Sequence, residues 1–175
     1  NEEFGFSVIG IPGTIDNDLE GTDFTIGYDT AINTVVNAVD KIRDTAESHD
    51  RLFIVEVMGR DSGLIALRSG IGVGAEAIMI PEAKMGVTDL VTRIENGRKD
   101  KASKIIIVAE GDEGGGAYTV GEVLKEKFPN ADIRISVLGH IQRGGKPSCM
   151  DRVLASRLGV AAVQGLLDGT TGVMA

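Results

Sequence analysis

The sequence predicts an α/β fold: three-layer αβα around a mostly parallel sheet. Three observations carry that expectation. Short apolar runs stopped by glycine or proline alternate along the chain with segments whose apolar residues recur at helical spacing. Two of the runs, at 52–58 and 104–109, are almost continuously apolar, the pattern of strands covered on both faces. The 24 glycines gather at the ends of apolar runs instead of forming a low-complexity tract, as in a chain that changes direction often.

In order, residues 7–11 form a strand candidate stopped by Pro12-Gly13. Ile32, Val35, Val36, Val39 and Ile42 give residues 29–48 an amphipathic helical stripe. The run at 52–58 is the next strand, ending at Gly59, and 63–72 reads as a short helix with little polar surface. A strand at 77–80 before Pro81 and a helix at 88–96 repeat the alternation, with Leu90, Val91 and Ile94 on one side. A buried-type strand at 104–109, a helix at 120–128 and a strand at 134–138 follow. The last helix, 150–167, carries Met150, Val153, Leu154, Leu158, Ala161 and Leu166, with Asp151 near its start complementing the helix dipole. Such alternation implies right-handed βαβ units, in which ligands sit at the carboxyl ends of strands. No internal repeat and no linker-like stretch interrupts it.

At 175 residues the chain can bury a sizeable core. Its formal charge of −8 argues against indiscriminate binding to nucleic acid or to an anionic membrane, so a bound anion must meet a local cluster of Arg, Lys and backbone N–H groups. With no apolar run long enough for a bilayer and no leader-like start, a soluble, intracellular protein is expected. The lone Cys149 has no partner for a disulfide and no nearby Cys/His set for zinc. The chain starts at Asn1, and structure begins almost at once, which suggests a piece of a larger protein.

The loop after the first strand holds Thr14, Asp16 and Asp18. In an extended loop, carboxylates one residue apart point to the same side, so one could accept a proton while the other helps hold a metal. Asp and Asn also favour ordinary turns, and a bare Asp-x-Asp pattern more often has that origin. Arg60 follows Gly59 at the carboxyl end of its strand, placed to meet a phosphate or a developing charge, or simply to pair with Asp61 in solvent. Glu110 occupies the equivalent place after 104–109, where it could accept bonds from sugar hydroxyls or be merely solvated. The densest cluster is residues 139–145, where His140 and Arg143 stand among three glycines and can offer several donors to one phosphate. Lys99, Lys101 and Lys104 lie at the opposite rim from Glu110, by default a solvated face.

Taken together, PGTIDND at 12–18, VEVMGR at 55–60, VAEG at 108–111, and VLGHIQRGG at 137–145 followed by DRVLASRLG at 151–159 resemble the 6-phosphofructokinase family, the ATP-dependent bacterial type. The resemblance spans residues 8–172 and rests on ordered motifs with matching spacing. It implies a phosphofructokinase-like fold, present in part: residues 1–27 as a remnant of the nucleotide-side lobe with the catalytic loop, 28–142 as the sugar-phosphate lobe, and 143–175 as a return to the first lobe. It further implies Asp16 as base for the 1-hydroxyl of fructose 6-phosphate, Asp18 as the Mg²⁺ organiser, Thr14 as an aid at the transferred phosphoryl group, and Arg60 as transition-state partner. Met58, Gly59, Glu110, His140 and Arg143 match sugar-phosphate contacts. Arg51 and Arg134 match arginines that reach the 6-phosphate across a subunit interface, so a complete site needs a homo-oligomer, a tetramer in the intact enzyme. Arg43, Gly74, Glu76, Lys99 and Lys101 match an effector site for a nucleotide or a phosphoenolpyruvate-type ligand. Gly13 stands where pyrophosphate-using relatives usually place a lysine, and so favours ATP as co-substrate. The implied setting is cytoplasmic glycolysis. The family's glycine-rich ATP segment would precede Asn1, so negligible kinase activity is expected of this chain alone. A pyrophosphate-dependent kinase and a non-catalytic sugar-phosphate-binding regulator remain as alternatives.

Overall fold

A computed structural model describes residues 5–46, 51–83, 85–97, 104–112 and 114–175. Its centre is a four-stranded parallel sheet built from β4 (Arg51–Val57), β5 (Ala77–Met79), β6 (Lys104–Ala109) and β7 (Asp132–Val137), in the order β5-β6-β4-β7. The register sets Leu52 beside both Lys104 and Ile133. Side-chain alternation sorts the sheet residues into two cores. On one face Phe53, Val55, Val57, Ile105, Ile107 and Ala109 pack against α1 (Tyr28–Ala46) and α2 (Leu64–Gly72). On the other, Leu52, Ile54, Ile106 and Val108 pack against α3 (Val87–Asn96) and α4 (Gly116–Lys127). Helices on both faces of a parallel sheet make the three expected layers.

Local chemistry explains each helix. Ala31, Val35 and Val39 recur four apart on α1 and are fully buried, so one stripe of the helix is sealed against the sheet. α4 starts a turn earlier than the apolar spacing predicted. The reason is tertiary: a Glu56 carboxylate oxygen accepts the Ala117 N–H at 2.8 Å, capping the helix from β4. Gly115 and Gly116, at φ 89° and 77°, turn the chain into that start, a role reserved for residues without a Cβ.

The remaining elements gather around a last helix that also touches α1. β1 (Ile9–Gly10) pairs with β8 (Val173–Met174), and β2 (Gly13–Thr14) pairs with β3 (Ile26–Gly27), all parallel. The strand expected over 7–11 is thus two residues long, because its partner offers only two. α5 (Cys149–Leu167) is opened by Ser148, whose Oγ accepts the Asp151 N–H at 3.1 Å. The Asp151 carboxylate then leaves its own helix. It accepts from Gly27 N at 3.0 Å, Thr30 N at 2.8 Å and the Thr30 hydroxyl, tying α5 to the start of α1. The end of the first predicted helix, 47–48, lies outside the described residues. Among the described residues no helix is long and apolar enough to cross a membrane.

Candidate active site

Three neighbouring sheet strands end on one rim, and each delivers a side chain there. β4 runs into Met58, Gly59 and Arg60, β6 into Glu110, and β7 into a 3-10 helix over Gly139–Arg143. Arg60 has φ 51°, a left-handed conformation rare for a residue with a Cβ, so its neighbours must hold it there. They do so with a single carboxylate oxygen: Glu110 Oε1 accepts the Gly59 N–H at 3.3 Å and the Arg60 N–H at 2.9 Å. The Ser62 N–H closes the turn onto the Gly59 carbonyl at 2.9 Å. Glu110 therefore props the arginine turn from below with one oxygen.

The loop between β2 and β3 faces this rim. It is not extended, as the sequence suggested, because Asn17 sits at φ 54°. Asn17 Oδ1 accepts from Thr25 N at 2.7 Å, and the single Thr25 hydroxyl proton is shared between the Thr14 carbonyl, at 2.7 Å, and Asn17 Oδ1, at 3.1 Å. Asn and a buried Thr thus fold the loop into a fixed turn. Asp16 and Asp18 still face a common cleft of about 490 Å³, lined also by Gly13, Thr14, Ile15, Leu19, Arg60 and Arg143. Ser62 Oγ donates to the Asp16 backbone carbonyl at 3.0 Å, joining the loop to the arginine turn.

Asp16 is buried and Asp18 exposed. Burial is the main force raising the Asp16 acid above its ordinary value, and the Asp18 charge, then Glu110, push the same way. Arg60 and Arg143 pull it down. A carboxylate raised by burial and a like charge, yet faced by two guanidiniums, has the environment of a proton acceptor next to a site where negative charge develops. In a 3-10 helix residues three apart eclipse, which places His140 and Arg143 on one side. Arg143 lines the cleft and His140 does not.

Two residues for which the sequence predicts no part in the site hold this geometry, Asp151 being expected only to complement the dipole of its helix. Gln142 is 1% exposed, and its amide bridges the Met58 N–H and the Gly139 carbonyl, at 3.2 and 3.0 Å. Asp151 anchors β3, and so β2 and Thr14 beside it. Both stand inside quoted motifs, but no local pattern distinguishes a side chain that bonds a backbone some eighty or more positions away.

The other predicted residues lie elsewhere. Arg51 and Arg134 stand at the opposite, amino-terminal part of their strands, six and three residues before the last residues of β4 and β7. Both grip Asp132: Arg51 Nε lies 2.8 Å and Arg134 Nε 2.9 Å from its carboxylate. The Arg51 hydrogen bond, followed by those of Arg134, holds the Asp132 acid below the ordinary carboxylate value. Arg43 donates to the Val73 carbonyl next to Gly74, and Glu76 immediately precedes β5, so these three gather at that same amino rim. Lys99 and Lys101 lie outside the described residues.

Among the described residues no group of three or more His, Cys, Asp or Glu is placed to hold a metal. The cleft does suit Mg²⁺ brought in on phosphates, since that ion commonly takes only one or two carboxylates and completes its shell with phosphate oxygens and water. Asp18, exposed on the cleft wall, is the donor available.

Comparison with known proteins agrees with this geometry. The sequence matches the family described as phosphofructokinase over residues 1–166. An ATP-dependent 6-phosphofructokinase of Cytophaga hutchinsonii is 56% identical over 174 residues, covering 99% of this chain and 53% of that protein. The structure of phosphofructokinase from Saccharomyces cerevisiae superposes with a TM-score of 0.82 at 36% identity, over 93% of this chain and 22% of that one. A pyrophosphate-dependent phosphofructokinase from Marinobacter aquaeolei gives a TM-score of 0.83 at 26% identity, over 99% of this chain and 47% of that one. The chain spans about half the length of the curated relatives it matches. Motif order, the strand-end cleft and these matches together make the chain a member of the phosphofructokinase family.

Proposed function

We propose that the protein carrying this chain transfers the γ-phosphoryl group of ATP to the 1-hydroxyl of fructose 6-phosphate, giving fructose 1,6-bisphosphate. The observation that supports this most is the convergence of buried Asp16, exposed Asp18, Arg60 and Arg143 on one cleft. Asp16 accepts the hydroxyl proton as the sugar oxygen attacks phosphorus in line. Arg60, fixed by its Glu110-held turn, meets the charge that spreads over the transferring phosphoryl oxygens. The Thr14 hydroxyl accepts the Asp16 N–H at 3.2 Å and fixes the base against the cleft floor. Asp18 would hold Mg²⁺, which when bound would offset negative charge on the phosphates. Arg143 grips the sugar phosphate from the cleft wall, His140 joins it from beyond that cleft, and Met58, Gly59 and Glu110 bound the pocket.

Within one chain Arg51 lies about 20 Å along β4 from the Arg60 rim, six strand steps away. Arg51 and Arg134 therefore serve a neighbouring subunit's 6-phosphate, in a homo-oligomer that we take to be a tetramer. Residues 1–27 and 143–175 belong to one lobe and 28–142 to the other, a reading supported by the pairing of β1 with β8. Arg43, Gly74, Glu76, Lys99 and Lys101 line an effector site for a nucleotide or a phosphoenolpyruvate-type ligand. The proposal includes a cytoplasmic location.

The donor rests on Gly13. A Cβ there would meet nothing within 4 Å, so packing does not require a glycine, and the open space beside Thr14 is left to the ATP phosphates. The test is a comparison of donors on the full-length protein. MgATP should support turnover of fructose 6-phosphate at least about a hundredfold better than pyrophosphate. Preference for pyrophosphate would support the alternative donor, and no turnover with either would support a non-catalytic sugar-phosphate binder.

A further inference from the structure

We infer that Gln142 is a positioning residue that keeps the two halves of the sugar-phosphate cleft in register. The inference deepens the proposed function and rests on it for the identity of the substrate. β4 and β7 run paired as far as Glu56 and Val137, and the Leu138 N–H still donates to the Glu56 carbonyl at 3.1 Å. In a continuing parallel ladder the next β4 amide to donate toward β7 would be that of Met58. The backbone of β7 is no longer there to receive it. Leu138 turns to φ −73°, ψ −37°, and Gly139, at φ 52°, leads the chain into the 3-10 helix.

The Gln142 side chain reaches back into the gap. Its Oε1 accepts the Met58 N–H at 3.2 Å while its Nε2 donates to the Gly139 carbonyl at 3.0 Å. One primary amide thus replaces one rung of the sheet, as a spacer that parts the two strands and still ties them. Burial at 1% exposure keeps water from competing for either bond, and loss of the amide would leave the Met58 N–H unsatisfied. On one side of the spacer Gly59 and Arg60 follow Met58, and on the other Arg143 follows Gln142, with His140 two residues before it. Arg60 and Arg143 both act on the Asp16 carboxylate. The spacing that Gln142 sets is therefore the spacing between the transition-state arginine and the sugar-phosphate grip.

The bridge needs an acceptor and a donor in one planar group. A leucine offers neither, and an ionised glutamate keeps the acceptor but faces the Gly139 carbonyl with a second oxygen. In the full-length protein Gln142→Leu should raise KM for fructose 6-phosphate about tenfold or more, with KM for ATP changed less than about threefold and kcat falling less than KM rises. Gln142→Glu should show a similar defect at about pH 8 that shrinks relative to wild type toward about pH 6, as protonation restores a donor to the Gly139 carbonyl. A lowered Tm with sugar-phosphate KM unchanged in both variants would mean a purely structural residue and overturn the inference, as would a pH-independent Gln142→Glu defect.

Amide hydrogen exchange separates this from the functional reading. The Met58 N–H should exchange slowly in the wild-type full-length protein and faster in Gln142→Glu at high pH, whether or not turnover is seen. Fast exchange in wild type overturns the bridge itself. Wild-type protein that lacks turnover but protects Met58 counts against the phosphoryl-transfer reading while the bridge stands. If Gln142→Leu does not fold, wild-type exchange and the Gln142→Glu pH series decide.

Discussion

Asp16 carries a cost as well as a role. Its acid is raised chiefly by burial and then by the charge of Asp18, so the folded state binds a proton more tightly than the unfolded chain does. Between the ordinary value of 3.8 and the raised one, the native state holds more proton, and stability therefore falls as pH rises through that window. Above the window the cost is fully present. Asp16→Asn removes the titrating charge, so in thermal unfolding its Tm relative to wild type should rise with pH through the window and stay equal or higher at neutral pH. A variant clearly less stable than wild type at neutral pH would contradict the burial argument. Under the proposed function the same raised acid would set an acidic limb for activity, since only the ionised form can accept the hydroxyl proton. Residues that fail one local rule mark this site: Asn17 and Arg60 are the non-glycine residues at positive φ among those described, and both hold the cleft.

At the level of elements, the turns after β4 and β6 are fitted against each other so closely that backbone meets backbone. A Cβ at Gly111 would overlap the Arg60 carbonyl oxygen, whereas one at Gly159, within α5, would meet nothing within 4 Å. Gly111→Ala should therefore cost more than about 3 kcal/mol and impair turnover by moving the Arg60 turn. Gly159→Ala should stabilise by about 0.5–1 kcal/mol as a helix-interior glycine replaced by a better former. Chemical denaturation of the pair checks both, and equal effects would contradict the packing. The same elements show what the sequence could and could not tell. β6 spans the residues of its apolar run, because burial on both faces writes itself into every position. Two-residue strands such as β2, β3 and β8 have no period to read, and their pairing is decided by distant chain. Arg60, Glu110 and Arg143 were legible because a strand end is a local feature. Gln142, Ser62 and Asp151 were not, because each acts through a backbone group brought near only by the fold.

For the whole molecule, the sheet divides its charges between two rims. The carboxyl rim gathers Asp16, Asp18, Arg60, Glu110 and Arg143 around a cleft, and the amino rim holds the Arg51–Asp132–Arg134 cluster. Arginine side chains cannot span the length of a strand between them, so under the proposed function the two clusters would serve two different sites. That separation is compatible with the proposed oligomer, in which the amino-rim arginines would meet a neighbouring subunit's ligand. On a chain of net charge −8, an anion could be met only where cations are concentrated in this way. The proposed function makes Asp16 the base of a phosphoryl transfer to fructose 6-phosphate. Its most direct test measures turnover with MgATP and fructose 6-phosphate alongside equilibrium binding of the sugar phosphate, for the full-length wild type and for Asp16→Ser. The wild type should give fructose 1,6-bisphosphate, the variant should lose about 10²–10⁴ in kcat, and sugar-phosphate affinity should hold within a few-fold. Turnover that survives Asp16→Ser would contradict that role.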